Sequence, residues 1–296
     1  MKKHLLELEN ESISIIRDTF VNSDNPVVMY SIGKDSSVLI ELFAKAFYPL
    51  PIPAKVLHVD TTWKFKEMIS FKYKIQKKYN LDLITHTNLN GVKENVTPFN
   101  NTDYTEIMKT KALLEALDKF EFDMIYGGAR RDEEASRSKE KVLSHRNEYH
   151  IWDPLNQRIE PWHLFNTYKK PKESFRVFPL SNWTELNIWE YIKDSNLDIV
   201  PLYFAKEREV VKRGEEYFLL DDDRFETKST DIVEVKKVRF RTLGCYPLTS
   251  GIESNADTLD KIINELKASN SSERAGRLID LDKEASMELK KRKGYF

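Results

Sequence analysis

Five short apolar runs alternating with helical patterns constrain this chain more than any other feature. The runs are VVMYSI at 27–32, AKVLHVD at 54–60, LDLITHTN at 81–88, FDMIYGG at 122–128 and FRVFPL at 175–180. Helical patterns occupy 36–47, 65–79 and 103–119 between them. An amphipathic pattern at 3–20 sets Leu5, Leu8, Ile13, Ile16 and Phe20 near one face, and Asp24, Asn25 and Pro26 break it. Short strands without polar alternation are buried on both faces, which means a parallel sheet joined by helical crossovers. The expected fold is therefore α/β, a doubly wound parallel five-stranded sheet with right-handed connections. Beyond about residue 200 the alternation stops. Asp221, Asp222 and Asp223 cluster there, followed by a mixed segment, a helical pattern near 256–268 and a charged tail. Two units are expected: the sheet domain at 1–200 and a mixed, partly helical C-terminal extension at 201–296.

Charge and cysteine content narrow the function classes. The 296 residues carry a net charge of −1, so no global basic field points to nucleic acid or a membrane surface. Cys245 is the one cysteine, too few for an internal disulfide or a cysteine-only metal site. The start MKKHLLELENES is interrupted by Glu7, Glu9 and Glu11, unlike a secretory signal, and no apolar stretch reaches the ~18 residues of a membrane span. A cytoplasmic protein is expected.

In an open parallel sheet, ligands bind beyond the carboxyl ends of the strands. Three loops there are unusual. SIGKDSS (31–37) joins a strand to a helix. Gly33 permits a tight turn, Lys34 adds charge, and Ser31, Ser36 and Ser37 add hydroxyl donors near a helix start. It is a phosphate cradle by composition, but its spacing is not that of a Walker loop. HVDTTWKFKEM (58–68) puts His58 and Asp60 at the second strand end, as a nucleotide-pocket edge or as a helix cap. GGARRDEEASRSKEK (127–141) sets Gly127 and Gly128 before Arg130 and Arg131. Guanidinium forks match sulfate or phosphate oxygens, while Asp132 and Glu133 are candidates for Mg²⁺ or for fixing the arginines. The alternative for this stretch is a solvated helix with pairs such as Glu133–Arg137.

SIGKDS resembles the SGGKDS loop of the adenine nucleotide α-hydrolase-like superfamily, whose members bind ATP and cleave between its α- and β-phosphates. Ile32 stands where that pattern usually has glycine. GGARRDEEASRSKEK, WDPLNQR, RVFPLSNWTELNIWEYI, IVPLYFA, VRFRTLGCYPLTSGIES, SERAGRLID and SMELKKRKGYF resemble, over nearly the whole chain, the small-subunit family of bacterial heterodimeric sulfate adenylyltransferases. The resemblance implies a reaction of ATP with sulfate giving adenylylsulfate and pyrophosphate, and a translation-factor-like GTPase partner subunit that drives it.

Sulfate is a weak nucleophile, so positioning and charge neutralisation are expected to carry catalysis. The nucleotide is expected on Ser31, Gly33, Lys34, Asp35, Ser36, Ser37, His58, Asp60, Gly127 and Gly128. Mg²⁺ is expected on its phosphates, and sulfate beside Arg130, Arg131, Arg239 and Arg241. The last two share a face if VRFR is extended. Two alternatives stand beside this reading. A reductase of adenylylsulfate or phosphoadenylylsulfate needs a C-terminal cysteine, which KKRKGYF lacks. A non-catalytic nucleotide-binding subunit would not need the intact loop and arginines. The tail from Ser271 is expected to close over the nucleotide or dock on the partner.

Overall fold

The computed structural model describes residues 1–214 and 216–268. The order is α1 (Lys3–Phe20), β1 (Pro26–Met29), α2 (Lys34–Phe47), β2 (Lys55–Val59), α3 (Lys66–Tyr79), β3 (Leu83–His86), α4 (Leu89–Lys93), α5 (Ala112–Phe120), β4 (Met124–Tyr126), α6 (Ala135–Ser138), β5 (Leu143–Arg146), β6 (Ser174–Val177) and α7 (Glu185–Asp194). The elements end where local chemistry dictates. Asn80 and Glu121 close α3 and α5 in the left-handed conformation, and Thr184 opens α7 through a reciprocal capping box with Asn187.

The first sheet has the order β3-β2-β1-β4-β6-β5, with β3, β2, β1, β4 and β6 mutually parallel. The five expected strands are these five. The sheet has a sixth, β5, antiparallel on the edge beside β6. Its sequence LSHR has no apolar run, because it buries Arg146 against Glu140 instead of against hydrocarbon. Chain order reverses between β1 and β4, so the crevice at this switch point lies between the loops that follow them. Those are the SIGKDSS and GGARR loops.

From Lys206 onward a second sheet forms: β7 (Lys206–Arg213), β8 (Glu216–Leu219), β9 (Ile232–Arg239) and β10 (Ile252–Glu253), antiparallel in the order β10-β9-β7-β8. It curls until Tyr217 of β8 bridges to Gly251, next to β10. Helix α8 (Leu259–Ala268) fills the helical pattern expected near 256–268. The four strands themselves were not foreseen. They are short or charged, and KEREVVKR and IVEVKKVR each leave three of their eight side chains exposed.

The two sheets share one hydrophobic core. Phe65 packs edge-on against Phe240 and Tyr246, with centroids 5.0 and 5.2 Å away. Ion pairs reinforce the junction, Arg208 with Glu67 and Arg241 with Glu185, while Arg239 of β9 pairs with Glu265 of α8. No helix among the described residues is long and apolar enough to cross a membrane. The expected role of the tail from Ser271 falls outside the described residues.

Candidate active site

The crevice holds a cavity of about 200 Å³. One wall comes from the β1–α2 loop: Tyr30, Ser31, Asp35 and Ser36. Ile32 in this loop takes φ 67°, a region that costs a β-branched residue energy and costs glycine none. This accounts for glycine at that position in the SGGKDS pattern. Its side chain is fully buried here, which offsets the strain. Helix α2 starts at the cavity, and the backbone N–H of Lys34 donates to the Tyr203 hydroxyl at 2.9 Å.

The opposite wall follows β4. Gly128 lies so close to α2 that a Cβ there would stand 3.0 Å from the Asp35 carbonyl carbon and 3.2 Å from its Cβ. Arg130 is buried behind this contact. It donates from Nε to Asp35 at 2.7 Å and from Nη1 to Asp132 at 2.6 Å. Glu133 and Arg137 line the cavity and pair with each other at 2.9 Å.

Lys64 and Lys109 supply the rest of the positive lining. Lys64 sits in the turn between β2 and α3. Lys109 sits in a π-helical turn, Glu106–Lys111, just before α5. A π-turn advances the helix phase and redirects its side chains, and such turns recur at functional sites. Leu243 and Gly244, from the segment after β9, close the cavity.

The residues singled out in the sequence divide into those at the cavity and those behind it. Ser31, Asp35, Ser36, Gly128 and Glu133 line it. Gly33 caps α2, and Ser37, buried, donates its N–H to the Gly33 carbonyl. Lys34 is not on an exposed loop: its side chain is buried, with Nζ 3.1 Å from Asp35. Gly127 belongs to the ladder, donating to Val177. His58 is buried behind the wall, its Nδ1 2.8 Å from the Tyr30 carbonyl. Burial, with the Lys64 ammonium adding to it, pushes His58 down to about 3, so its ring is neutral near pH 7. Asp60 caps the turn by accepting from the Thr62 N–H.

The arginines are dispersed. Arg131 turns to Asn182, and Asp132 accepts from Arg130 and from the Glu185 N–H. Arg239 and Arg241 do not share a face, because β9 ends at Arg239. The first pairs with Glu265 of α8, the second with Glu185 of α7.

Lys64, Lys109 and Gly244 were not singled out, and Arg137 was named only as the partner of Glu133, a pair that does form. Lys64 and Arg137 lie inside loops already marked as unusual, but Lys109 carried no signal. A lysine in a helical pattern is ordinarily a surface residue.

Cys245 is buried beside this wall, its Sγ 3.5 Å from the Thr61 hydroxyl. Burial alone would raise the thiol. The charges of Lys64 and Lys109, with help from Thr61 and Tyr104, outweigh it and hold the thiol below its usual value.

Comparison with known proteins gives a consistent picture. Residues 25–251 match the phosphoadenosine phosphosulfate reductase domain family. Sulfate adenylyltransferase subunit 2 from Geotalea daltonii is 56% identical over 295 residues, covering 99% of this chain and 98% of that protein. The protein of the same name from Shewanella frigidimarina is 57% identical over the same shares of both chains. Among solved structures, Candida glabrata FMN adenylyltransferase in complex with FMN and the ATP analog AMPCPP aligns with a TM-score of 0.51. It is 17% identical, over 93% of this chain and 88% of that one, a likeness of fold.

Proposed function

We propose, from the premise that the chain belongs to the sulfate adenylyltransferase subunit 2 family, that its cavity is where sulfate displaces pyrophosphate from the α-phosphate of ATP. A sulfate oxygen forms the new bond to the α-phosphorus. The bond from that phosphorus to the bridging oxygen breaks, and pyrophosphate leaves with the electron pair. The observation that carries this reading is the cavity lining, which joins the phosphate-loop residues Ser31, Asp35 and Ser36 to three cations, Lys64, Lys109 and Arg137, around one space.

Two anions must meet here against their mutual repulsion, and a small enclosed site makes each lysine and guanidinium count for more than in water. ATP lies across the strand ends with its phosphates on Ser31–Ser36. Sulfate is held at the Lys64–Lys109–Arg137 side. Lys34 and Arg130 act from behind as positioning residues, since both bind Asp35. Arg131 serves through Asn182, and Arg239 and Arg241 hold the second sheet on α8 and α7. In this reading residues 1–200 carry the ATP site and residues after 200 close it, which Leu243 and Gly244 at the cavity and Tyr203 on Lys34 support among the described residues.

Magnesium fits this chemistry. The ATP phosphates would supply most of its ligands, and the nearest carboxylates at the cavity, Asp35 and Glu133, are already paired with Arg130 and Lys34 and with Arg137, so they would act chiefly by fixing those cations. Asp132 does not line the cavity and is not proposed as a ligand. The product anhydride is high in energy, so the forward reaction needs a drive. That drive is GTP hydrolysis in a companion subunit of a cytoplasmic heteromeric enzyme.

The test is ATP–pyrophosphate exchange measured with and without sulfate. Exchange should require sulfate, and GTP with the companion subunit should raise net adenylylsulfate formation. Exchange at the same rate without sulfate would sink the reading.

A further inference from the structure

Helix α2 opens on the cavity with three backbone N–H groups in its first turn that no carbonyl of the helix can reach, those of Lys34, Asp35 and Ser36. Ser37 is the first to bond in helical fashion, to the Gly33 carbonyl at 3.0 Å. The three are not equivalent. Lys34 donates to the Tyr203 hydroxyl at 2.9 Å, while the N–H groups of Asp35 and Ser36 meet no acceptor among the described residues. Asp35 and Ser36 both line the cavity. The hydroxyls of the same loop are turned onto protein: Ser36 donates to the Gly33 carbonyl at 3.0 Å and Ser31 to Ser36 at 3.2 Å.

Tyr203 is buried and is not part of the cavity lining. A Cβ on Gly33 would stand 3.4 Å from its oxygen, so the hydroxyl is seated against the bare face of the loop. Its place is fixed from outside the loop. The turn Pro201–Tyr203 carries it, the Leu202 carbonyl in that turn accepts from the Phe240 N–H at 2.8 Å, and the Tyr203 ring meets Trp189 of α7 edge-on at 5.3 Å.

A helix N-terminus binds an anion through whichever of its N–H groups are open. With Lys34 occupied, an oxyanion finds two of them and one position. Successive N–H groups are ~1.5 Å apart along a helix axis. A third open donor would create a second position, on Lys34 and Asp35, displaced by about that distance. Affinity would not suffer, since the second position offers equal donors. The reaction would, because a misplacement of ~1 Å can cost about 100-fold in rate.

We propose that Tyr203 is a positioning residue: it blocks the first N–H of α2 and so confines the β,γ-phosphates of ATP to the N–H groups of Asp35 and Ser36, which keeps the α-phosphorus in line with sulfate. This deepens, and rests on, the reading of the cavity as the site of adenylyl transfer. A tyrosine suits the task. Its hydroxyl satisfies an N–H that would otherwise be buried bare, and it is neutral, so it does not repel phosphate.

The experiment compares the full wild-type chain with Tyr203→Phe, each with the companion subunit, in sulfate-dependent ATP–pyrophosphate exchange, and measures pyrophosphate binding by calorimetry. Tyr203→Phe removes one oxygen and keeps the ring on Trp189, so the fold is expected to stand. It should lower kcat about 10- to 100-fold, while the KM for ATP and the Kd for pyrophosphate stay within about 2-fold of wild type or tighten. Trp189→Phe loosens the same packing and leaves the hydroxyl, so it should lower Tm and keep kcat. Equal losses of kcat in the two variants at equal loss of Tm would mean that Tyr203 only supports the fold, and would overturn the proposal. So would a fall in kcat with parallel weakening of ATP and pyrophosphate binding. Wild-type kcat in Tyr203→Phe overturns the proposal and leaves the reading of the cavity intact. Exchange that does not depend on sulfate in the wild-type enzyme overturns that reading and the proposal with it.

Discussion

Lys64 and His58 show how one buried charge serves two ends. Lys64 lines the cavity, and it also depresses the buried imidazole behind the wall. If its ammonium meets sulfate, Lys64→Met should raise the KM for sulfate at least about 10-fold, the scale of a lost charge-assisted contact, and change the KM for ATP much less. Initial rates with each substrate varied in turn check this; an unchanged sulfate KM removes Lys64 from the site. His58 gives a pH prediction. Its folded value of about 3 lies below the ordinary 6.5, so below pH 6.5 the unfolded chain takes up a proton that the folded chain refuses. The stability this contributes is complete above pH 6.5 and is lost as pH falls towards 3, at up to ~1.4 kcal/mol per pH unit. His58→Gln keeps a donor for the Tyr30 carbonyl and removes the titration. Between about pH 7 and pH 5 it should lose less stability than the wild type, by on the order of 1–2 kcal/mol in urea titrations. Parallel losses in the two proteins would show that His58 does not titrate this way.

Among the elements, the decisive contact is between the end of β4 and the start of α2. Gly128 lets them approach so closely that a Cβ at that position meets the Asp35 backbone at 3.0 Å. Backbone cannot swing aside as a long side chain can, so Gly128→Ala must push α2 away from the strand end or twist the loop. The expected cost is ~1–3 kcal/mol of stability. A far larger proportional loss is expected in sulfate-dependent exchange, because Asp35 and Ser36 line the cavity from α2. Thermal unfolding and exchange assays on one preparation separate the two effects. Normal activity in a destabilised variant would mean that the approach serves packing only.

At the scale of the molecule, the second sheet is tied to the first unit through apolar contacts and the ion pairs Arg208–Glu67 and Arg241–Glu185. Phe240 is fully buried against Phe65 at this junction. Phe240→Ala should cost ~3–5 kcal/mol. Because the core is shared, the variant should still unfold in one transition, coincident by tryptophan fluorescence and far-ultraviolet circular dichroism. Two separated transitions would show that residues beyond 200 melt independently of the parallel sheet. Such melting would also open the cavity, since Leu243 and Gly244 come from that part of the chain.

The parallel sheet, its crossovers and the strand–turn–helix of the SIGKDSS loop were legible in the sequence because each is written locally. Buried parallel strands are runs of a few apolar residues, and a strand–turn–helix cradle needs its glycine, serines and lysine in consecutive positions. β5 was not legible, because Arg146 and Glu140 satisfy each other in the interior and look like surface residues when read singly. Nor were the curled second sheet or the roles of the arginines. A guanidinium run suggests an anion site, and only the tertiary structure shows Arg130 spent on Asp35 and Asp132, Arg239 on Glu265 and Arg241 on Glu185. The cations that reach the cavity, Lys64, Lys109 and Arg137, come from three separate connections and share no motif. Their convergence is set by the phase of a π-turn, by the strand order that brings β1 and β4 side by side, and by the length of the turn before α3. Those quantities depend on contacts between distant segments, and a linear pattern does not encode them.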